Sequence, residues 1–352
     1  MSDLTWLSNP VAPLYEEDRR QAEVRQQSLT KPAGSLGRLE EIAVRLAAMQ
    51  GYECPELSEV FISIFAADHG VATQGVSAFP QSVTGEMIRN FSQGGAAICV
   101  LALEIGARLE VINLGTVSKL PPLKGVEHLS LGSGSNNMCV EPAMSEDQLG
   151  RSLRAGFDAV ERAAKLGTDL FIGGEMGIGN TTSASALACA MLALPPEKLA
   201  GPGTGLDSAG VSHKVEILKL ALQRHSSSLG NPLESLRCLG GFEIAALVGA
   251  YISSAQRGLP VLVDGFIGSV AALMATRISP ATSNWLLFSH RSGEPGHLLV
   301  LEALDANPLL DLGMRLGEGS GAAVAVPLLR SACALHAGMA TFAQAGISEK
   351  KT

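Results

Sequence analysis

None of the six cysteines forms a CxxC pair. Cys54, Cys99, Cys139, Cys189, Cys238 and Cys333 are scattered. That argues against a structural zinc site and a disulfide framework, and fits a reducing compartment in which thiols serve as small buried apolar groups. Basic charge is scarce as well: 26 Lys and Arg against 34 Asp and Glu leave a net charge of -8, with no Lys/Arg cluster. Nucleic-acid affinity rests on such clusters, so no nucleic-acid partner is expected. Long apolar stretches are cut by charges such as Arg257 and Asp264, and no membrane span is expected. Residues 1–10 carry neither a basic segment nor an apolar run, so no secretory signal is read there and a cytoplasmic location is expected.

Known signatures are missing too. There is no GxxxxGK[ST], which disfavours a P-loop ATPase, and no GxGxxG, which weakens a dinucleotide reading. No GxSxG elbow or His triad spacing supports an acyl-transfer enzyme. Asp68-His69-Gly70 invites a metal or a catalytic dyad, but adjacent residues on an extended chain point to opposite faces and no second ligand pattern supports it. No metal and no cofactor are expected.

What is present is a 352-residue chain, 46% apolar and 17% charged, able to bury one large core with or without a small appended domain. From Leu14 to Met49 it is charged and helical in period, broken at Lys31-Pro32-Ala33-Gly34-Ser35, with Ser35 a plausible cap for the second helix. After Pro55, short apolar runs end in Gly, Asp, Ser or His: Val60–Phe65, Leu109–Leu114, Leu170–Gly173, Pro260–Val263 and Trp285–Phe288, with a weaker one at Leu236–Leu239. Continuous apolar strands spaced by helices predict a parallel sheet covered on both faces. In such sheets ligands sit beyond the carboxyl ends of the strands. The polar motifs Asp68-His69-Gly70, Gly173-Gly174-Glu175, Asp264-Gly265 and Ser289 to Gly293 each follow an apolar run. Gly321 to Phe342 reads as a buried helix with a kink at Pro327.

The 39 glycines gather at Gly132–Gly134, Gly173–Gly179, Gly201–Gly205 and Gly317–Gly321. Such clusters let backbone N–H groups approach an anion, although an ordinary strand-to-helix turn explains any one of them. The Gly201 to Gly205 cluster with Lys214 suits a monophosphate; a surface lysine explains Lys214 equally well. Asn180 and Thr181 are placed to cap a helix or to meet phosphate or ribose. Leu316-Gly317-Glu318-Gly319-Ser320-Gly321 is the least ordinary element. A carboxylate between glycines, ahead of a helix poor in polar residues, is set for a pKa raised by desolvation, as a neutral-pH general base requires. A helix-start acid favoured by the dipole remains the plain alternative.

These residues resemble the nicotinate-nucleotide:dimethylbenzimidazole phosphoribosyltransferases of cobalamin nucleotide-loop assembly. The matching strings are Lys31 to Leu39, Ala67 to Val71, Pro142 to Met144, Gly174 to Gly177 with Asn180 to Thr182, Gly240 to Phe242, Leu259 to Phe266 and Met314 to Ala323. They run in order over nearly the whole chain. The resemblance implies a Rossmann-like parallel sheet of about six strands with helices on both faces. It further implies a small helical domain from both chain ends (1–55 and 330–352) beside a large α/β domain (56–329), and a homodimer with the partner completing each site. By position, Glu318 is the catalytic base. Glu175, Gly177, Asn180, Thr181, Gly203, Thr204, Gly205, Lys214, Asp264, Ser292 and Gly293 surround the nucleotide, with Asp264 near the ribose. Phe79, Gln81, Glu86, Met87, Met176 and Leu316 form the acceptor pocket. Enterobacterial members carry Ser at the position of Phe79 and Gln at that of Met87, so this pocket is less polar and acceptor preference is open to change.

The implied chemistry suits these residues. Nicotinate leaves from a pyridinium nitrogen and needs no proton, while the acceptor's second ring N–H becomes acidic as its other nitrogen bonds to ribose C1′. One carboxylate within reach is sufficient. The transition state is expected to resemble an oxocarbenium ion, and attack opposite the leaving group inverts the β-linkage to α. Other readings are transfer to adenine, another benzimidazole or a phenol, a glycohydrolase using water, and a non-catalytic nucleotide-binding protein.

Overall fold

The structure, a computed structural model, describes residues 4–348. In chain order its elements are α1 (Glu16–Ser28), α2 (Arg38–Gln50), β1 (Val60–Ala67), α3 (Ser82–Gln93), α4 (Ala97–Glu104), β2 (Arg108–Gly115), β3 (Val126–His128), α5 (Glu146–Lys165), β4 (Leu170–Met176) and α6 (Asn180–Leu192). There follow α7 (Pro196–Leu199), α8 (Ser208–Arg224), α9 (Pro232–Leu239), α10 (Phe242–Arg257), β5 (Val261–Val263), α11 (Phe266–Ile278), β6 (Leu286–Phe288), α12 (His297–Ala303), α13 (Ser320–Gly338) and α14 (Phe342–Ala345). The strands form one parallel sheet in the order β3-β2-β1-β4-β5-β6.

Because side chains alternate across a strand, β1 feeds two cores. Phe61, Phe65 and Ala67 face one side, packed with residues of α5, α6, α10 and α11. Val60, Ile62, Ile64 and Ala66 face the other, against α2, α3, α4 and α13. Both faces are therefore dry, which is why β1 reads as an unbroken apolar run. On the first face α5 and α10 cross at backbone contact: a Cβ on Gly156 would stand 1.8 Å from the Ala246 carbonyl oxygen, and one on Gly249 2.1 Å from that of Leu153. A capping box at Ser145 and Gln148 starts α5, satisfying N–H groups that the helix itself cannot.

The chain ends meet. Arg25 donates to the carbonyl oxygens of His336 and Ala337 at 2.8 and 2.7 Å, Gln26 Nε2 meets His336 Nδ1 at 2.8 Å, and Leu29 forms a β-bridge with Thr341. Residue 330, the expected domain boundary, lies inside α13. That helix continues through Pro327. Among the described residues α13 alone is long and apolar enough, by length and composition, to cross a membrane, but it packs as a core helix against α2, α4 and β4.

Two local expectations are corrected. Leu236–Leu239 is not a strand but the end of α9, whose start is set by Pro232 and by the Asn231 side chain accepting the N–H groups of Leu233 and Glu234. The sheet instead gains β3, a short edge strand whose Val126-Glu127-His128 is half solvated. Ser35 does not cap α2: the helix starts after Gly37 at φ +55°, and Glu40 accepts the Leu36 N–H at 3.0 Å and forms an ion pair with the Lys31 ammonium at 2.8 Å.

Candidate active site

The order of the strands reverses at the β1/β4 pair, and the loops leaving β1, β4, β5 and β6 diverge there into a crevice. A cavity of about 450 Å³ opens at this end of the sheet. Its wall combines the end of β4 and the turn after it (Glu175, Met176, Gly177, Ile178, Asn180, Thr181) and residues that follow β5 (Asp264 to Gly268) and β6 (His290, Ser292, Glu294) with Phe79, Gly203, Thr204, Arg315, Leu316 and Gly317.

Glu318 stands directly behind that wall, in a turn the chain adopts only with help. Gly317, Glu318 and Gly319 all have positive φ (86°, 64° and 77°), and for a side-chain-bearing residue the left-handed conformation costs roughly 1–2 kcal/mol. Two features hold it. Gly174 has no side chain where the Glu318 backbone passes: a Cβ there would lie 2.6 Å from the Glu318 carbonyl. Asp264, from the end of β5, accepts the N–H of Gly319 at 3.1 Å and of Ala322 at 3.0 Å, capping α13 from across the sheet. His290 Nε2 lies 3.4 Å from the same carboxylate. Asp264 is thus committed to the helix start, while the cavity wall still includes it.

The Glu318 carboxyl is 4% exposed, its Oε2 has no partner, and the Ile98 N–H at the start of α4 is near enough to favour the charged form. Burial pushes its pKa above the ordinary carboxylate value, the nearby Asp264 charge adds to the rise, and Ile98 opposes it. Glu175, paired with the Asn180 amide and lying against Gly317, is raised still further by burial and by the charges of Glu243, Asp264 and Glu318. The Asn180 amide is therefore spent on Glu175, not on capping α6, which starts after Gly179 without a side-chain cap.

At the far end of the cavity Lys214 is fully buried, not a surface lysine. Its ammonium donates to the Thr181 hydroxyl at 2.9 Å and the Gly201 carbonyl at 3.2 Å. Burial lowers its pKa to about 8, with Glu294 opposing the fall. Arg315 donates to the Gly203 carbonyl at 3.0 Å, and Gly293 donates to that of Met314 at 2.9 Å, tying the loop after β6 to the segment before Glu318. The Thr204 hydroxyl meets Ser77 Oγ at 3.1 Å and the Ala78 N–H at 3.3 Å, so the loop bearing Phe79 rests on the glycine loop.

His69 joins a buried polar set beneath the floor: Nε2 lies 2.5 Å from Glu243 and Nδ1 2.9 Å from the Ser183 hydroxyl. Among the described residues no group of three or more His, Cys, Asp or Glu is arranged to hold a metal.

Of the residues singled out from sequence, Phe79, Glu175, Met176, Gly177, Asn180, Thr181, Gly203, Thr204, Asp264, Ser292 and Leu316 share one cavity wall. Gly205, Lys214, Gly293 and Glu318 lie behind it. Gln81, Glu86 and Met87 sit on or beside α3 away from the wall: Gln81 donates to the His69 carbonyl at 2.8 Å, Glu86 is exposed, and Met87 packs on the core. Phe79 and Leu316 are 52% and 57% exposed, leaving the mouth of the cavity apolar and open. Sequence reasoning missed Glu294, Arg315 and His290 as wall residues. The signal for Glu294 is its place directly after Ser292-Gly293, in the same turn.

A phosphoribosyltransferase family model matches residues 11–347. A nicotinate-nucleotide–dimethylbenzimidazole phosphoribosyltransferase of Ectopseudomonas mendocina is 60% identical over 347 residues, 99% of each chain. The enzyme of that name from Pseudomonas aeruginosa is 58% identical over the same share of both chains. CobT from Thermus thermophilus superposes with a TM-score of 0.91 at 44% identity, covering 95% of this chain and all of that one.

Proposed function

The chain belongs to the nicotinate-nucleotide–dimethylbenzimidazole phosphoribosyltransferase family, and on that premise we propose that it moves the ribose phosphate of nicotinate mononucleotide onto a benzimidazole nitrogen, giving α-ribazole 5′-phosphate and nicotinate. The observation that carries the assignment of roles is Glu318: a buried carboxylate with an unpartnered oxygen, directly behind the cavity wall next to Gly317, with its pKa raised by burial.

In this reading the phosphate lies among Gly203, Thr204, Gly205, Thr181, Ser292, Gly293 and Lys214. The buried ammonium and the open glycine backbone support that end of the site. Glu175, Gly177, Asn180 and Asp264 border the nucleotide. Nicotinate departs from its positively charged linkage without a proton donor. The acceptor lies flat between the apolar wall residues Phe79, Met176 and Leu316, with Gln81, Glu86 and Met87 set back from that wall. As C1′ bonds to one ring nitrogen, Glu318 takes the proton from the other. Attack opposite the departing ring inverts the anomeric centre. Holding two flat rings on either side of one sugar is chiefly positioning.

The reading includes a homodimer, supported by exposed apolar side chains: Val100 and Leu103 of α4 are 61% and 84% exposed, and α4 packs against α13, which bears the exposed Leu328. The small domain of 1–55 and 330–352 is supported by the contacts between the chain ends. A cytoplasmic location fits six free thiols.

Nicotinate release with and without acceptor tests the function. Release that needs a benzimidazole supports transfer; release in water alone means a glycohydrolase; a faster rate with adenine than with dimethylbenzimidazole would replace the acceptor; no release with any acceptor leaves only a nucleotide-binding protein.

A further inference from the structure

Buried charge that the proposed chemistry leaves unused collects on the Gly201–Gly203 segment. Glu294 is 7% exposed and lines the cavity. Its Oε2 comes so near Gly201 that a Cβ there would stand 2.1 Å from it, and the Gly203 N–H serves its carboxylate. The carbonyl oxygens of the same two glycines receive the cations: Lys214 Nζ at Gly201 and Arg315 Nη1 at Gly203. One carboxylate and two cations thus hang on three residues of backbone.

We propose that Glu294 is the resident anion of the phosphate subsite, balancing Lys214 and Arg315 while no nucleotide is bound and taking up a proton from solvent when a phosphoryl group enters; this rests on the reading that the Gly203 loop holds the phosphate. A phosphate monoester carries roughly -1.5 to -2 charges at neutral pH. Beside two cations and an ionised Glu294 it leaves excess negative charge in a buried space, where like charges repel with little screening by water. A protonated Glu294 removes that repulsion and donates a hydrogen bond instead of accepting one.

The surroundings already favour this change. Burial raises the Glu294 pKa, while Lys214 from α8, the Gly203 N–H and Arg315 from the segment before α13 hold it back. From α6 the Thr181 hydroxyl faces Lys214, and within its own turn Ser292 Oγ accepts the Glu294 N–H at 3.3 Å. His297, at the start of α12, adds no charge: burial lowers its pKa to about 3, and its Nδ1 accepts the Ser292 N–H at 2.8 Å.

The test is calorimetric titration near neutral pH in buffers of different protonation enthalpy, with nicotinate mononucleotide and the phosphate-free nicotinate riboside. Wild-type protein is expected to take up a proton with the mononucleotide and none with the riboside. E294Q keeps the hydrogen-bonding shape without the charge. It should bind the mononucleotide about tenfold more tightly, the equivalent of one pKa unit, with no proton uptake and unchanged riboside affinity. Zero uptake by the wild type, or an E294Q that binds the mononucleotide no more tightly, overturns the proposal. The wild-type count needs no variant, so the test survives a misfolded E294Q. K214M isolates the premise. Unchanged mononucleotide affinity in K214M removes the phosphate reading itself, whereas lost affinity there with no gain in E294Q removes only the role of Glu294.

Discussion

Glu318→Gln should make the protein more stable and far less active, because the same burial that tunes the base works against its charged form. The carboxyl is 4% exposed, Oε2 has no partner, and only the nearby Ile98 N–H favours the charged form. An unsatisfied buried polar group costs on the order of 1–3 kcal/mol, more when charged. Glutamine keeps the acceptor for Ile98 and the left-handed backbone, exchanging an unpartnered charge for an unpartnered amide, so a net gain of about 1 kcal/mol is expected. For a chain of this length that is a rise of roughly 2 °C in melting temperature.

The pH sign follows from linkage. With a pKa raised in the folded state, the native protein binds the proton more tightly than the unfolded chain does. Stability from this group is then full below the ordinary value of 4.5 and is lost as pH rises through the raised value. The gap between variant and wild type should therefore be small in acid and open toward neutral pH in thermal melts. In the same preparations kcat should fall by about 10²–10⁴, the usual worth of a general base, with the fold intact. An E318Q that is less stable at neutral pH than in acid relative to wild type, or one that turns over at nearly the wild-type rate, refutes the reasoning.

Two further outcomes test what holds the site. Asp264→Asn leaves one oxygen where two N–H groups now bond, at 3.1 and 3.0 Å. It should cost about 1–3 kcal/mol in denaturant melts and lower kcat, since the Glu318 turn loses its cap; full stability and rate would show that α13 needs no acceptor from β5. Gly156→Ala would press a methyl to within 1.8 Å of the Ala246 carbonyl oxygen, an obstacle made of backbone. A loss of about 1–3 kcal/mol or more is expected, with kcat per folded molecule unchanged, because the α5–α10 crossing lies on the sheet face away from Glu318.

How much of this was legible in the residues depends on how local each cause is. β1 and β4 announce themselves because burial on both faces leaves no polar alternation to confuse. β3 escapes because three half-exposed edge residues carry no apolar run. Leu236–Leu239 misleads because a short apolar run satisfies strand and helix alike; the arbitrating signal was Asn231-Pro232 just upstream, a helix start. In the site, the glycine clusters mark where backbones approach, and they do converge. Partners far apart in sequence do not show: Asp264 caps a helix 55 residues away. Nor does the full burial of Lys214, which follows from the wall formed by Thr181 and Gly201.

The central claim is that Glu318 removes the second ring N–H of the acceptor. It is tested most directly by comparing a benzimidazole with its N-methyl derivative, whose transfer gives a cation with no proton to lose. The measured quantity is the ratio of wild-type to E318Q single-turnover rates for each acceptor. The account predicts a ratio of about 10²–10⁴ for the N–H base and a ratio near one for the methylated base. Equal ratios for both would contradict it, and would mean that Glu318 acts on the sugar or the leaving group instead.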